Sequence, residues 1–480
     1  MNFYFEASQI LDRLDAKQGS IKGLIATLPE KSRKRSAALI IETLKYKPVL
    51  LDVIKASGLM KQERKLTSLN LALVLVHDLL LAKGIQSGDG PIKQAILRHK
   101  TRLHGEFQKL KIKRGVASTS DLAQSADERS VAIPRYVRVN TALWTTEQAI
   151  EYFGSLGFTL FTDPVSPSAQ GKEFSKDIHV PNLLVFPSQT SFADDYAYQN
   201  GKLILQDKAS CFPAVVLAPP ASDDAAVIDA TAAPGNKTSH LSAIMKNRGK
   251  IYAFERDRKR FTTLETMLAK AQCSNVHPVN TDFLLVDPYD EKYGAVTHIL
   301  LDPSCSGSGI VNRLDHLVES DPKEADAINS DSRLSKLAAF QLKMIKHAMQ
   351  FPKVKKIVYS TCSIHATENE HVVRDALASA EANENSFALA PRNEALPSWP
   401  RRGLSDEMAS GEDASSVIRC SPGEDHTNGF FVSCFIRRAA QSESSSKRKA
   451  GDEEQEEFPK RKSKKRKVKK KRPTQRTNGE

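Results

Sequence analysis

The chain has 480 residues, of which 40% are apolar and 26% charged, and its formal net charge at pH 7 is +13. This composition favours a globular protein of two or three domains. A secretory signal pattern is missing, the most apolar helix (Leu69 to Leu81) is too short to cross a bilayer, and the histidines lack metal-ligand spacing. We therefore expect no membrane segment and no metal site. The six cysteines contain no CxxC pair, which argues for reduced thiols inside a cell.

Residues 1–116 are predicted to form a helical domain, because apolar positions recur there at helical spacing. The candidate helices are Phe5–Leu14, Ser36–Tyr46, Pro48–Ser57 and Leu66–Ala82. Basic residues are concentrated at 31–35 and 98–114, and a solvated helix surface explains them as well as contact with an RNA backbone does. The polar residues 117–130 that follow are predicted to be a linker.

Residues 131–202 are predicted to form a small α+β module that contacts RNA. Arg135–Asn140 alternates like a strand, Thr145–Leu156 has a helical pattern with a threonine near its cap, and Asn182–Phe186 is a second strand. This succession of strand, helix and strand is typical of such a module. The candidates for RNA contact are Tyr136, Arg138 and Phe192. Core packing explains the two aromatic residues equally well.

Residues 203–440 are predicted to form an α/β domain. Its candidate strands are Ala226–Ala230, Lys250–Phe254, Val276–Val279, Val296–Leu301, Lys356–Ser360 and Phe430–Ile436. Helical patterns separate most of these strands, notably at Arg258–Ala271 and Leu334–Met349. This alternation predicts a mostly parallel sheet with helices on both faces, and such sheets bind ligands at the carboxyl ends of their strands.

A glycine-containing turn, Asp229 to Thr238, joins the first of these strands to a helix. Unpaired backbone N–H groups and the positive end of the helix dipole make such a turn a binding site for an anion. Acidic residues follow the next three strands, at Glu255, Asp282 and Asp302. An acid after the second strand normally accepts hydrogen bonds from ribose hydroxyls. Asp282 is a candidate to accept one from an adenine amino group.

These acids indicate a cofactor that contains a nucleoside. The pattern fits a dinucleotide, a nucleoside or S-adenosylmethionine, and for any single acid a loop-capping role is an alternative. The GxGxxG fingerprint is absent, which argues against NAD or FAD, and the spacing of a Walker A loop is absent too. A nucleoside-bearing cofactor without a pyrophosphate cradle is most simply S-adenosylmethionine.

Two cysteines, Cys305 and Cys362, lie just past the ends of the fourth and fifth candidate strands, in loops of small residues. A single cysteine is more often a buried core residue than a nucleophile. Two cysteines at the ligand end of one sheet favour a catalytic role for these thiols. Packing alone explains the other four, which are Cys211, Cys273, Cys420 and Cys434.

Paired thiols suit the methylation of a pyrimidine at C5. This carbon is too weakly nucleophilic to attack a sulfonium methyl group, whereas a thiolate that adds at C6 makes C5 enamine-like. After methyl transfer, the C5 proton is removed and the thiol is eliminated. Asp302 is a candidate to stabilise the adduct at N3 of the base, and Lys237 is a candidate to lower a thiol pKa or to orient the base.

Six motifs within residues 203–438 resemble the NOP/Sun-domain family of RNA cytosine-5 methyltransferases, which has bacterial relatives that act on rRNA. They begin at Gln206 (QDKAS), Ala232 (AAPGNKT), Asp302 (DPSC), Ser360 (STC), Glu368 (EN) and Asn428 (NGFF). The resemblance implies a Rossmann-like, S-adenosylmethionine-dependent methyltransferase sheet, preceded by the helical N-terminal domain and the small α+β module.

The resemblance also implies roles for individual residues. Cys362 is the implied nucleophile, Cys305 assists release of the methylated product, and Asp302 contacts the pyrimidine. Lys237 joins this catalytic group because of its positive charge, and not through the resemblance. The implied cofactor-binding residues are Thr231, Ala232, Ala233, Pro234, Gly235, Asn236, Lys237, Glu255, Arg260, Asp282 and Asp302. Chemistry alone does not decide which of the two cysteines attacks the base.

Two positions depart from the pattern of the family. Thr231 stands where the family often has cysteine, which we expect to be tolerated because the backbone of the loop does the binding. Asn428 stands where aspartate is usual, a conservative change in a structural motif. Neither departure puts the predicted chemistry in doubt.

The run LLDPSCSGSG at residues 300–309, the helical N-terminus and the basic tail are most similar to the eukaryotic branch of the family that methylates large-subunit rRNA. Residues 441–480 contain 15 Lys/Arg and 7 Asp/Glu, so eight of the excess positive charges lie in this tail. Its basic runs at 447–449 and 460–472 are typical of a bipartite nuclear or nucleolar address. We expect the tail to be disordered, to engage the nuclear import machinery and to add RNA affinity that falls with salt.

The sequence therefore predicts a nuclear and nucleolar monomer that methylates rRNA, either free or within a pre-ribosome. Two alternatives remain at this stage. One is methylation of a protein or an exocyclic amine, which needs no thiol. The other is a catalytically silent ribosome-assembly factor that uses the same fold to hold RNA.

Overall fold

The structure is a computed structural model that describes residues 1–438 apart from 17, 20, 65, 125–126, 312–316 and 318–323. The chain begins with a bundle of helices. Their bounds are α1 Asn2–Asp15, α2 Ile21–Ala26, α3 Glu30–Lys45, α4 Lys47–Ser57, α5 Leu59–Gln62, α6 Leu69–Leu81, α7 Pro91–Arg98 and α8 Lys100–Lys113. The apolar helix α6 lies at the centre, with every residue from 70 to 79 buried. Ser68 caps it by accepting a hydrogen bond from Leu71 N at 3.2 Å.

The segment predicted as a linker, residues 117–130, packs against this bundle. It contains two short 3₁₀ turns, Ser120–Leu122 and Glu128–Ala132, the second of which ends just past the predicted boundary. Leu122 is buried in the helical core, and Gln124 N donates a hydrogen bond to Lys45 O at 2.7 Å. Polar composition indicated a loop here, but a single apolar side chain is enough to fix it to the bundle.

A five-stranded sheet with strand order β2-β3-β4-β1-β5 follows. Its elements are β1 Arg135–Val139, α9 Thr146–Ser155, β2 Thr159–Phe161, β3 Glu173–Lys176, β4 Leu183–Phe186, α10 Tyr196–Gln199 and β5 Leu203–Leu205. The predicted strands and the helix are confirmed, and Thr145 caps α9 through a capping box with Gln148. Strands β2, β3 and β5 were missed because three or four residues give too little alternation to detect. Strand β5 also lies past residue 202, where the sequence predicted the module to end.

The three candidates for RNA contact in this module are buried. Tyr136 and Phe192 are each 4% exposed and Arg138 is 1% exposed. Phe192 belongs to a cluster of aromatic rings under the sheet, and Tyr136 packs against the next domain. The packing interpretation is therefore the correct one for these residues.

The main sheet has the strand order β11-β13-β10-β9-β6-β7-β8, with β12 paired to β13. The strands are β6 Ala226–Asp229, β7 Lys250–Phe254, β8 Val276–Val279, β9 Val296–Leu301, β10 Lys356–Thr361, β11 Phe387–Leu389, β12 Ile418–Cys420 and β13 Phe430–Arg437. The helices are α11 Lys208–Leu217, α12 Asn236–Ile244, α13 Arg258–Lys270, α14 Glu324–Met349, α15 Glu370–Leu377, α16 Ala380–Glu384 and α17 Gly411–Ser416. Strands β6 to β10 are parallel and the others antiparallel, so the predicted mostly parallel sheet is confirmed.

Helices cover both faces of this sheet, as the sequence predicted. Alternate residues of the central strands enter two separate cores. On β6, Val227 packs with Leu241 of α12 on one face, while Ile228 belongs to the core that contains Ile345 of α14 on the other face. The carboxyl ends of β6 to β10 consequently meet at one edge, which we call the strand-end edge.

No helix within the described part of the chain is long and apolar enough to span a membrane. The same residues contain no group of three or more His, Cys, Asp and Glu side chains arranged to hold a metal ion.

Candidate functional site at the strand-end edge

The turn after β6 is fixed by its own aspartate. Asp229 is buried; its Oδ2 accepts a hydrogen bond from Thr238 Oγ1 at 2.7 Å and its Oδ1 one from Thr231 N at 3.4 Å. Burial raises the pKa of Asp229 to about 6, which these hydrogen bonds only partly offset. Gly235 ends the turn with a φ of +113°, a conformation that favours glycine, and α12 begins at the next residue.

Glu255 and Asp282 follow β7 and β8 at the same edge, as predicted. Glu255 is 5% exposed, and its Oε1 accepts a hydrogen bond from the backbone N–H of Asp257 at 2.8 Å. Asp282 is more exposed, and its Oδ1 accepts one from Leu284 N at 3.0 Å. Each acid leaves a second oxygen towards the edge or a neighbouring arginine, and so keeps acceptor capacity for a ligand.

Arg260 connects the turn to Glu255. Its Nη2 donates to Ala233 O at 2.8 Å, and its Nη1 lies 3.6 Å from Glu255 Oε2. The arginine comes from the first turn of α13, which the side chain of Asp257 caps. Sequence resemblance placed Arg260 near the cofactor, and the geometry shows that it also ties two parts of the pocket together.

Asp302, after β9, is held by three partners from distant parts of the chain. Its Oδ2 accepts a hydrogen bond from Lys237 Nζ at 2.8 Å, its Oδ1 one from Ser360 Oγ at 2.7 Å, and its backbone N donates to Thr231 Oγ1 at 3.0 Å. Burial lowers the pKa of Lys237, but attraction to Asp302, with smaller contributions from Cys362 and Asp229, outweighs burial and leaves that pKa above its ordinary value. Lys237 Nζ also donates to Ser210 Oγ at 3.2 Å. The result is a fixed ion pair at the entrance of both cysteine loops.

Cys305 and Cys362 are adjacent, with their sulfur atoms 2.8 Å apart. The hydrogen bond between the two thiols, in which either sulfur can be the donor, raises the pKa of Cys305 well above that of an ordinary thiol, together with burial and the negative charge of Asp302. A thiol with a raised pKa keeps its proton, so Cys305 presents a protonated sulfur next to Cys362.

Serine side chains and one glycine bind the two cysteine loops together. Ser306 Oγ lies 3.1 Å and Ser308 Oγ 3.2 Å from Ser363 Oγ. Gly309 N donates to Cys362 O at 2.9 Å. A Cβ at position 309 would lie 2.2 Å from the carbonyl oxygen of Gly429, so only glycine permits this approach.

Asn428, one of the two departures from the family pattern, lies behind these loops. Its Nδ2 donates to Asp207 Oδ2 at 2.8 Å and its Oδ1 accepts from Val311 N at 3.2 Å. Burial raises the pKa of Asp207, and the hydrogen bonds that its carboxylate accepts lower that pKa only in part. An amide at position 428 supplies both the donor and the acceptor that this half-buried position uses, so the departure is compatible with the fold.

The structure thus brings the predicted site residues to one edge. The residues that sequence reasoning missed are Ser360, Ser210 and the polar groups of α14 and residue 368 behind the cysteine loops. For Ser360 a signal existed, because it lies two residues before Cys362 and strand alternation puts positions i and i+2 on the same face. Of the other cysteines, Cys211, Cys420 and Cys434 are buried and Cys273 is half-buried.

Family models match three successive parts of the chain. Residues 34–123 match the N-terminal domain of NOL1/NOP2/Sun domain family member 5, and residues 133–206 match the ferredoxin-like domain of the same family member. Residues 214–436 match the 16S rRNA methyltransferase RsmB/F model. The three matches correspond to the helical bundle, the five-stranded module and the main sheet.

Full-length relatives agree with these matches. The chain is 44% identical over 434 residues to the 25S rRNA (cytosine-C(5))-methyltransferase rcm1 of Schizosaccharomyces pombe, covering 90% of this chain and 91% of the relative. It is 43% identical over 444 residues to the 28S rRNA (cytosine-C(5))-methyltransferase of Mus musculus, covering 91% of each. Among solved structures, a methyltransferase homologue from Pyrococcus horikoshii has a TM-score of 0.50 and 21% identity, covering 79% of this chain and 99% of that one, which supports the fold alone.

Proposed function

This chain belongs to the NOL1/NOP2/Sun domain family of rRNA cytosine-C5 methyltransferases, and on that premise we propose that it methylates C5 of a cytosine in large-subunit rRNA through a covalent adduct between Cys362 and C6 of the base. The observation that carries the proposal is the Cys305–Cys362 pair, 2.8 Å apart and next to the Asp302–Lys237 ion pair. A methyltransferase that acts on an amine or an oxygen has no use for two thiols in this position.

S-adenosylmethionine is the proposed cofactor, and the chemistry of the edge fits it. The residues proposed to hold it are Thr231, Ala232, Ala233, Pro234, Gly235, Asn236, Lys237, Glu255, Arg260, Asp282 and Asp302. Unpaired N–H groups at the start of α12 suit a carboxylate, and the carboxylates of Glu255 and Asp282 suit ribose hydroxyls and an adenine amino group. When bound, the cofactor supplies an electrophilic methyl group; the remaining chemistry belongs to the side chains of the chain and to the base.

Cys362 is the proposed nucleophile. Its sulfur adds to C6 of the cytosine, and the electrons of the C5–C6 double bond make C5 the carbon that accepts the methyl group. Asp302, as the carboxylic acid formed when it takes the proton that leaves the Cys362 thiol, is proposed to donate a hydrogen bond to N3 of the base, where negative charge develops during the addition. The Lys237 ammonium, 2.8 Å from Asp302, offsets that charge and holds the Asp302 carboxyl group in place.

Cys305 is proposed to act in product release. In this step C5 loses its proton, the electrons of the C5–H bond re-form the C5–C6 double bond, and the bond between C6 and Cys362 Sγ breaks with its electron pair returning to sulfur. Cys305 passes its own proton to the departing Cys362 sulfur and takes up the C5 proton, so that both thiols are restored. The raised pKa of Cys305 and its direct contact with Cys362 suit this relay.

The test combines a methylation assay with denaturing gel electrophoresis. We expect Cys362→Ala to abolish C5 methylation of large-subunit rRNA, read by bisulfite sequencing, and Cys305→Ala to leave protein covalently trapped on the RNA. Cys273→Ala is the matched control, because this half-buried cysteine lies between α13 and β8 rather than after β9 or β10. Full methylation by Cys362→Ala would refute the assignment of the nucleophile, and a Cys305→Ala variant that releases its RNA normally would refute the role of Cys305.

We further propose that the protein works as a nuclear and nucleolar enzyme on rRNA or a pre-ribosome. The domain boundaries 1–116, 131–202 and 203–440, with a linker between the first two and a basic tail at 441–480, are part of this proposal. The basic runs at 447–449 and 460–472, which would engage the import machinery, lie outside the described residues, as does the rest of the tail. Deletion of residues 441–480 is expected to redistribute a fluorescent fusion out of the nucleolus and to leave methylation of purified rRNA measurable.

A further inference from the structure

Two buried polar side chains hold the backbone on either side of Cys305. Gln341, in the middle of α14, is fully buried, and its Nε2 donates to Ser304 O at 3.1 Å and to Glu368 Oε1 at 3.0 Å. Glu368, equally buried, accepts a second hydrogen bond at the same Oε1, from Ser306 N at 2.9 Å. The residue before Cys305 and the residue after it are thus both bound by this pair, which we call the Gln341–Glu368 clamp.

The clamp is also attached to the strand that leads to the other cysteine. Tyr359, near the end of β10, donates its hydroxyl proton to the carbonyl oxygen of Glu368 at 2.5 Å, and the same hydroxyl lies 3.1 Å from Gln341 Oε1. Burial keeps the pKa of Tyr359 far above its ordinary value, so the hydroxyl stays a donor. Cys362 is three residues further along the chain. One network therefore sets the positions of both loops relative to each other.

Packing alone does not account for these residue types. Within the described residues, Glu368 Oε2 is buried and has no hydrogen-bond partner. Such a group lowers stability, and an apolar residue of similar size would avoid the penalty. What Glu368 and Gln341 supply, and an apolar pair cannot, is an acceptor for Ser306 N and a donor for Ser304 O. Buried polar groups kept in spite of their desolvation are frequent where a site needs fixed geometry.

We propose that Gln341 and Glu368 are positioning residues for product release: they fix the backbone around Cys305 so that its thiol stays against Cys362 Sγ. The inference rests on the proposed function, in which Cys305 assists elimination of the adduct. Neither side chain touches the reacting atoms in this proposal; both act through the main chain of Ser304 and Ser306. Their loss is expected to slow elimination while Cys362, which is linked to the clamp through Tyr359 and through the Ser306–Ser363 contact, still adds to the base.

The experiment separates adduct formation from adduct release in the full-length protein, with a large-subunit rRNA fragment and S-adenosylmethionine. Gln341→Leu removes both donors at nearly constant volume. We expect the covalent RNA–protein adduct on a denaturing gel to rise about tenfold or more above the wild type, because displacements of about 1 Å at a catalytic group have effects of this size or larger. The rate of methyl transfer in a single turnover is expected to stay within about threefold of the wild-type rate, because the nucleophile Cys362 is unchanged.

Further variants distinguish a positioning role of the clamp from a general loss of stability. Glu368→Gln keeps an acceptor for Ser306 N and is expected to release RNA nearly as fast as the wild type, whereas Glu368→Leu is expected to trap it. Asn275→Leu is the matched control, since Asn275 is a buried amide that hydrogen-bonds Arg248 O and lies before β8, at the opposite end of the parallel strands from the cysteines. It is expected to lower stability without accumulation of the adduct. If Gln341→Leu does not fold, Gln341→Asn, which withdraws the amide by one methylene, replaces it.

The outcomes separate this inference from the proposed function. A Gln341→Leu protein that releases RNA at the rate of the wild type, or in which adduct and methylation fall together as in the Asn275→Leu control, overturns the role of the clamp. In either case Cys305→Ala still reports on the function by itself. If Cys305→Ala accumulates adduct and Gln341→Leu does not, only the clamp fails; if Cys305→Ala accumulates none, the proposed role of Cys305 fails first.

Discussion

The strand-end edge has two halves that are held in different ways. In the cofactor half, Asp229, Glu255 and Asp282 each accept a hydrogen bond from a backbone N–H only two residues further along the chain. In the thiol half, Asp302 is held by Lys237 and Ser360, which lie 65 and 58 residues away in sequence. The first half is therefore organised locally and the second by the fold.

This difference has a consequence for function. Local capping fixes an acid wherever a strand turns into a loop, so loss of one acid of the cofactor half leaves the caps of the other two in place, although Arg260 also links Glu255 to the turn after β6. The thiol half behaves as a unit, because its ion pair, its serines and the Gln341–Glu368 clamp share partners. We expect substitutions in the cofactor half to act mainly on cofactor affinity and in nearly additive fashion, and those in the thiol half to act on turnover and to be strongly coupled.

The largest expected effect is that of Asp302→Ala. It removes the proposed contact with the base and the partner of Lys237, whose pKa then falls because burial is no longer offset by attraction to Asp302. Turnover is expected to fall by about 10²–10⁴-fold, the range for loss of an acid–base or electrostatic group. Affinity for S-adenosylmethionine, measured by calorimetry, is expected to change about tenfold at most. If affinity collapsed while turnover at saturating cofactor persisted, Asp302 would belong to the cofactor half.

A second prediction concerns the pH dependence of stability at Asp229. Its pKa is raised from 3.8 to about 6 by burial, so the folded protein binds a proton that the unfolded chain releases. The contribution of this carboxyl to stability is therefore present below pH 3.8 and is lost as the pH rises towards 6. The loss amounts to about 3 kcal/mol, at about 1.4 kcal/mol for each pKa unit.

Denaturant unfolding at several pH values between 4 and 7 measures this loss. Asp229→Asn cannot ionise and is expected to have a flatter stability profile over this range than the wild type. Asp282→Asn, at a half-buried acid of the same half, serves as the control for the loss of one carboxylate at this edge. An Asp229→Asn profile as steep as that of the wild type would place the titrating group elsewhere.

A third prediction compares the two acids that are proposed to bind the nucleoside. Glu255→Gln is expected to weaken binding of S-adenosylmethionine by about 10–100-fold, because hydrogen bonds to a charged group contribute about 1.5–3 kcal/mol each. Asp282→Asn is expected to weaken it by about fivefold or less, since the side chain of Asp282 is 28% exposed and that of Glu255 only 4%. Calorimetric titration of the two variants and of the double variant gives both values and tests additivity. A coupling larger than about 1 kcal/mol between them would contradict the local organisation of this half.

The same difference explains how much the sequence could predict. The strand bounds at Lys250–Phe254 and Val296–Leu301 and the acids that follow them were predicted correctly, because buried parallel strands are continuous apolar runs that end at polar residues. Strand β5 and helix α11 were missed, the first for its length and the second because Pro213 interrupts its helical pattern.

In the site, the sequence predicted which residue types meet at the edge but not how they are held. Ser360 is two residues from Cys362, a spacing that the sequence does show, whereas Gln341 reaches the thiol half from helix α14 and no spacing in the sequence reports that contact. Resemblance to a family supplied the distinction between Cys305 and Cys362, and the hydrogen bond between their sulfurs does not by itself decide which of them attacks the base. The residues of a locally capped loop are predictable from sequence, whereas those of a network that spans several elements require the fold.

The smallest expected effect, at Thr231, tests the connection between the halves. Thr231 belongs to the cofactor loop, yet its hydroxyl accepts the hydrogen bond of Asp302 N, which belongs to the thiol half. Thr231→Ala removes this acceptor and is expected to lower the free energy of unfolding by about 1 kcal/mol. If the bond serves mainly to place Asp302, turnover falls by about fivefold or less, as about 1 kcal/mol allows, while cofactor affinity is unchanged.

Thr231→Cys supplies only a weak acceptor, and its turnover and stability are expected to lie between those of the wild type and of Thr231→Ala. A Thr231→Ala variant that loses cofactor affinity instead would show that the loop, and not Asp302, depends on this bond, and the division into two halves would then have to be drawn on the other side of Thr231.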